Sequence, residues 1–181
     1  MKVTSLCLNE IKLLEPEVHL DQRGFFSETY NELVLKTNGI NHVFVQDNHS
    51  FSKDPGVLRG LHYQLNPKAQ AKLISVVTGA IYDVVVDIRQ DSPTFGHWVG
   101  TILSEHNKRQ LLVPKGFAHG FCTLVPNTQV FYKVDEYYSP ENDRGIIWND
   151  PVLNIDWPTS SPILSDKDQR HPILKDAELN F

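Results

Sequence analysis

Gly56-Val57-Leu58-Arg59-Gly60-Leu61-His62-Tyr63-Gln64 is an apolar strand pattern that carries an arginine and a histidine. Residues two apart along a strand share a face, so Gly60, His62 and Gln64 point one way and Arg59, Leu61 and Tyr63 the other. For Arg59 and His62 to reach one ligand, the strand must bend near Gly60, as an isolated glycine within a strand pattern often signals.

On both sides of this stretch the same type of text continues. Val43 to Asn48, Lys72 to Val77, Ile81 to Ile88, Trp98 to Leu103, Gln110 to Val113, Gly120 to Val125 and Thr128 to Tyr138 are rich in β-branched or aromatic residues. Turn residues separate them, among them Asp54-Pro55-Gly56, Asn66-Pro67, Thr78-Gly79 and Pro126-Asn127. A further short strand is expected over Ile11 to Val18, with turn chemistry at Asp21-Gln22-Arg23-Gly24. Asn31 to Gly39 has an N-cap candidate and an Asn-Gly ending, which predicts one short helix. The expected fold is therefore all-β, a jelly-roll barrel with a core of about residues 40–140. Prolines 151, 158, 162 and 172 predict an extended C-terminal wrap over about residues 150–181, within a single domain of 181 residues.

Composition narrows the function. Twenty-two acidic against seventeen basic residues give a net charge of −5, which argues against nucleic acid or an anionic membrane as main partner. Cys7 and Cys122 do not resemble a secreted disulfide framework, and free thiols are expected. The N-terminus lacks a signal-peptide pattern and no apolar run has transmembrane length, so a cytoplasmic location is expected.

Four constellations carry possible chemistry. Gln46-Asp47-Asn48-His49-Ser50 sets polar side chains in succession at the end of an apolar strand. Lys72 opens an otherwise hydrophobic strand, where it snorkels to solvent or, facing a cavity, neutralises an enolate or a phosphate. Asp83, Asp87 and Arg89 share one face of what reads as an ordinary amphipathic strand, structural unless Asp83 approaches Lys72. Pro114-Lys115-Gly116-Phe117-Ala118-His119 resembles the second motif of the cupin superfamily, whose metal sites also use a His-x-His pair from the first motif. Here that segment reads His62-Tyr63-Gln64, so the ligand set is incomplete and no metal is expected.

Taken together, Asp21 to Glu28, Val45 to Ser50, Val57 to Gln64, Ser92 to Gly96, Pro114 to Phe121, Tyr132-Lys133, Tyr137 to Pro140, Trp148 to Pro151 and Leu164 to Asp168 closely resemble the dTDP-4-dehydrorhamnose 3,5-epimerases. Gln70-Ala71-Lys72 departs slightly from the Gln-Gly-Lys of many members. The resemblance implies a cupin-type jelly roll, a homodimer, a dTDP-sugar substrate, and neither cofactor nor metal. It implies His62 as base, Asp168 as its orienting carboxylate and Tyr132 as proton donor on the opposite face of the sugar. Arg23, Glu28, Gln46, Asp47, Asn48, Arg59, Lys72, His119, Asp143 and Lys167 match positions that hold nucleotide, phosphates or sugar. Lys72 is in addition the candidate for stabilising an enolate. Other readings are an epimerase acting at C3 or C5 alone, a non-catalytic nucleotide-sugar binder, and a metal-dependent oxygenase.

Overall fold

The computed structural model describes residues 1–181. Its strands are β1 (Lys2–Ser5), β2 (Lys12–Glu15), β3 (His19–Asp21), β4 (Gly24–Phe26), β5 (Gln46–Ser52), β6 (Leu58–Gln64), β7 (Lys72–Thr78) and β8 (Ala80–Asp87). They continue with β9 (Trp98–Ser104), β10 (Gln110–Val113), β11 (Phe117–Thr123), β12 (Thr128–Val134) and β13 (Asp143–Gly145). The single α-helix, α1 (Glu32–Thr37), lies where the capping residues predict it. Asn31 accepts hydrogen bonds from the backbone of Leu33 and Val34, and Asn38 closes the other end. Two turns of 3-10 helix, Asp168–Arg170 and Leu174–Asp176, punctuate the C-terminal stretch.

All strand pairs are antiparallel. Six strands form one sheet in the order β1-β2-β10-β7-β12-β5, five form a second in the order β13-β6-β11-β8-β9, and β3-β4 is a separate hairpin. The expected barrel is not formed. Hydrogen bonding ends at β1 and β5 in one sheet and at β13 and β9 in the other, and no register joins the two. An open sandwich and a closed barrel bury the same alternating residues, so strand patterning alone does not separate them.

The two sheets share a core. Ile74, Val76 and Leu111 from the larger meet Val85, Leu103 and Phe121 from the smaller. The outer face of the smaller sheet is buried too, because Leu153, Trp157 and Leu174 of the C-terminal stretch pack on Leu58, Leu61 and Val84. Burial on both faces overturns the amphipathic reading of β8: Asp83 and Asp87 are fully buried. Each is compensated, Asp83 by His119 and Asp87 by Arg89, Ser92 and Thr94.

Strand ends shift where polar text is itself strand. The strand expected at Val43 to Asn48 begins at Gln46 and runs to Ser52, because pairing with β12 satisfies its backbone whatever its side chains. The segment expected at Ile11 to Val18 is strand only over Lys12–Glu15, and the hairpin β3-β4 follows around the Gln22-Arg23 turn. Both cysteines are free thiols. No helix is long and apolar enough to cross a membrane.

Candidate active site

The site begins with a defect in β6. Its pairing with β11 matches His119 to His62 but Phe121 to Arg59, so two steps on one strand span three on the other. The alternation resets across Gly60: Leu58, Leu61 and Tyr63 all enter the outer core, while Arg59 and His62 line one cavity. The bend expected at Gly60 is present. Gly60 has φ +130°, and a Cβ there would stand 2.4 Å from Gly120 Cα and 2.8 Å from the His119 carbonyl oxygen. Only glycine fits.

Two adjoining cavities of about 250 and 230 Å³ share His62, Lys72, Tyr132 and Lys167. His62 Nε2 lies 2.5 Å from Oδ1 of the buried Asp168. Ser165 Oγ donates to the other carboxylate oxygen at 2.7 Å. Burial alone would raise the Asp168 carboxyl. The nearby His171, the His62 hydrogen bond and that of Ser165 outweigh it and hold the group well below the usual carboxylate range. An ionised Asp168 can only accept, so His62 Nε2 carries the proton and Nδ1 keeps a lone pair. Burial also lowers the His62 pKa from its ordinary value, against the opposing pull of Asp168, which favours the neutral base.

The larger sheet supplies the facing groups. Lys72 is buried and donates from Nζ to the His62 carbonyl oxygen at 3.2 Å. Desolvation pushes its pKa down to about 8, with Asp143 and Asp83 opposing. Tyr132, on β12, is raised above the ordinary phenol value by burial, so it holds its proton at neutral pH. Gln46 and Asn48 point inward from β5, joined by a 3.0 Å hydrogen bond. Arg59 donates to the Phe51 carbonyl oxygen at 3.1 Å, and His119 faces Asp83 at 2.9 Å. Asp143 accepts from the Tyr138 hydroxyl and from the Lys167 ammonium.

Three expected residues lie elsewhere in this chain. Arg23 is at the exposed hairpin tip, paired with Asp21. Glu28 is exposed and accepts from Asn31, and Asp47 alternates outward to pair with Lys133 at 2.9 Å. Conversely, Gln64, Gln70, Tyr138, Ser165 and His171 join the site without having been singled out in the sequence. Gln64 could have been found from its parity with His62; His171, in irregular chain after a 3-10 turn, has no periodic signal.

A larger open cleft of about 560 Å³ lies beside Arg89 and Lys115. Its cations are already paired, Arg89 with Asp87 and Glu10 and Lys115 with Asp135.

The dTDP-4-dehydrorhamnose 3,5-epimerase family model matches residues 5–176. The chain belongs to this epimerase family. It is 50% identical over 179 residues to the dTDP-4-dehydrorhamnose 3,5-epimerase of Shigella flexneri, covering 98% of each chain. The crystal structure of the Bacillus anthracis enzyme, solved with TDP and PPi bound, superposes with a TM-score of 0.93 at 63% identity, covering 95% of this chain and 98% of that one. A 3'-monoepimerase from Streptomyces bikiniensis, in complex with dTDP-quinovose, is also similar, with a TM-score of 0.89 at 32% identity over 94% of this chain and 86% of that one. As a member of the epimerase family, this chain inverts C3 and C5 of a dTDP-4-dehydro-6-deoxyhexose.

Proposed function

We propose that in this epimerase His62 is the base, Tyr132 the proton donor and Lys72 the enolate stabiliser, acting on dTDP-4-dehydro-6-deoxy-D-glucose to give dTDP-4-dehydro-L-rhamnose. The observation that carries this reading is that His62 and Tyr132 project from different sheets into the same cavities. A sugar ring held between them meets a base on one face and a phenol on the other.

The C4 ketone acidifies the hydrogens at C3 and C5. His62 Nδ1 removes one, the electron pair delocalises onto the C4 oxygen, and Tyr132 returns a proton from the far face, inverting the carbon. Asp168 keeps the imidazole in the productive tautomer and stabilises the imidazolium. Positioned acid and base groups supply about 10²–10⁴-fold, so a preorganised charge at the enolate oxygen is the larger need, which the Lys72 ammonium meets. Arg59 and Lys167 face the phosphates, and Gln46, Asn48, His119 and Asp143 orient nucleotide and sugar.

Arg23, Glu28 and Asp47 act in this reading from a second copy, in a homodimer. The support is their position outside this chain's cavity together with Leu20 and Phe26, 81% and 70% exposed on the same hairpin, and the outward Phe51 and Val77. The free thiols fit a reducing cytoplasm.

Incubation with substrate in heavy water, followed by NMR, tests the chemistry: deuterium is expected at both C3 and C5. Exchange at one carbon only would mark a mono-epimerase, and bound dTDP without exchange a binding protein.

A further inference from the structure

The base has a neighbour that the reaction above does not use. His171 follows the 3-10 turn carrying Asp168, and its side chain is 9% exposed. Its Nε2 has no hydrogen-bond partner, yet it points at Asp168 Oδ1 from 3.7 Å. The His171 ring meets the His62 ring edge to face, centroids 5.4 Å apart, and rests on Gly145, where a Cβ would stand 2.4 Å from Nε2. A buried nitrogen without a partner is costly unless something binds it.

One ligand atom each from His62, Asp168 and His171 lies within 4.8 Å of the other two. In a tetrahedral zinc site with metal–ligand bonds of about 2.0–2.2 Å, ligand atoms stand about 3.3–3.6 Å apart, between the 2.5 and 3.7 Å at which His62 Nε2 and His171 Nε2 stand from Asp168 Oδ1. Two imidazoles and one carboxylate are a zinc ligand set, and the cavity in front of His62 and Asp168 leaves the fourth position open to water. The ammonium groups of Lys72 and Lys167 face the same space, with Asp143 and Asp83 acting on Lys72 and Asp143 bonded to Lys167.

We propose that His62, Asp168 and His171 form an inhibitory zinc site, in which the ion replaces the proton between His62 and Asp168. The balance is simple. Neutral His62 holds one ring proton, on Nε2 when it faces Asp168. Zinc takes the Nε2 lone pair, the ring proton passes through solvent to Nδ1, and no lone pair remains to accept a proton from the sugar. His171 coordinates through its unpartnered Nε2. The inhibition rests on His62 being the base; zinc uptake does not.

The test titrates the purified protein and its His171→Gln variant with zinc chloride against a chromophoric chelator, and follows deuterium exchange into substrate in parallel. Wild type is expected to take up one equivalent with loss of exchange that a chelator reverses, and His171→Gln to bind at least about tenfold more weakly. Magnesium, which prefers an oxygen shell, should do neither. Should His171→Gln lose its fold by circular dichroism, His171→Asn serves in its place. No uptake by wild type, equal uptake by the folded variant, or bound zinc with undiminished exchange would each overturn the proposal. Absence of exchange before zinc is added would fault the catalytic reading instead, and uptake by the chelator assay would still decide the site.

Discussion

Asp168 Oδ1 lies 2.5 Å from His62 Nε2 across 106 residues of sequence. The carboxylate belongs to a 3-10 turn of the C-terminal stretch, and the imidazole to the bent strand β6. The outer apolar core built by Trp157 and Leu174 holds that stretch against the smaller sheet, so packing far from the cavity delivers a group to it.

Replacing either member should separate chemistry from binding. His62→Ala is expected to abolish exchange at both carbons, and Asp168→Asn to lower turnover by about 10²-fold or more, with dTDP affinity largely kept. Single-turnover exchange and calorimetric titration with dTDP check this. Undiminished exchange in His62→Ala would remove it as the base.

Tyr132→Phe keeps the proposed base and enolate-stabilising charge but removes the proposed proton donor on the far face. Deprotonation should persist at a reduced rate while the inverted product falls off. NMR of the product mixture reads the two separately, and full double inversion by this variant excludes Tyr132 from the mechanism.

The pH profile follows from two depressed pKa values. In the proposed mechanism His62 must be neutral, and its pKa is lowered by burial, so the acid limb should fall below the ordinary imidazole value of 6.5. The proposed enolate stabilisation needs a charged Lys72, and its pKa of about 8 would place the alkaline limb there. A plateau reaching well beyond about pH 9, more than a unit above that pKa, would contradict a catalytic ammonium at Lys72.

The same lysine burdens the fold. Between the folded value of about 8 and the ordinary 10.5, the unfolded chain binds more protons, so this group makes stability rise with pH over that window. Below it the penalty is fully present. Lys72→Met should therefore stabilise the protein at neutral pH by up to about 3 kcal/mol while removing turnover. Urea unfolding measures the first effect, and an unchanged or lowered midpoint counts against the burial cost.

Gly60→Ala tests the bend. Its Cβ would meet the Gly120 backbone at 2.4 Å, in a backbone conformation with φ +130°. A loss of at least about 2 kcal/mol is expected, with exchange reduced in whatever folds because Arg59 and His62 no longer share a cavity. A midpoint within error of wild type would show that β6 tolerates the side chain.

Local chemistry was legible in the chain text. The strands from β6 to β10 follow their β-branched runs, α1 follows its Asn31 cap, and His62, Lys72 and Tyr132 do line one cavity. These depend on neighbours a few residues away, or on motifs long enough to name the family. Polar side chains concealed part of the same information, since β5 is strand by virtue of its partner β12.

Long-range geometry was not legible, because it depends on which surfaces meet. Open sheets and a closed barrel require the same alternation, and only the missing hydrogen bonds between edge strands distinguish them. Asp83 and Asp87 read as a solvated face until a second layer covered them. Arg23, Glu28 and Asp47 carry family motifs yet stand outside this chain's cavity. His171 had no pattern at all, and the fold alone set its unpaired nitrogen beside His62 and Asp168. Sequence determines which groups are present and which backbone they favour; burial and contact, which change what those groups can do, arise only once the chain has closed on itself.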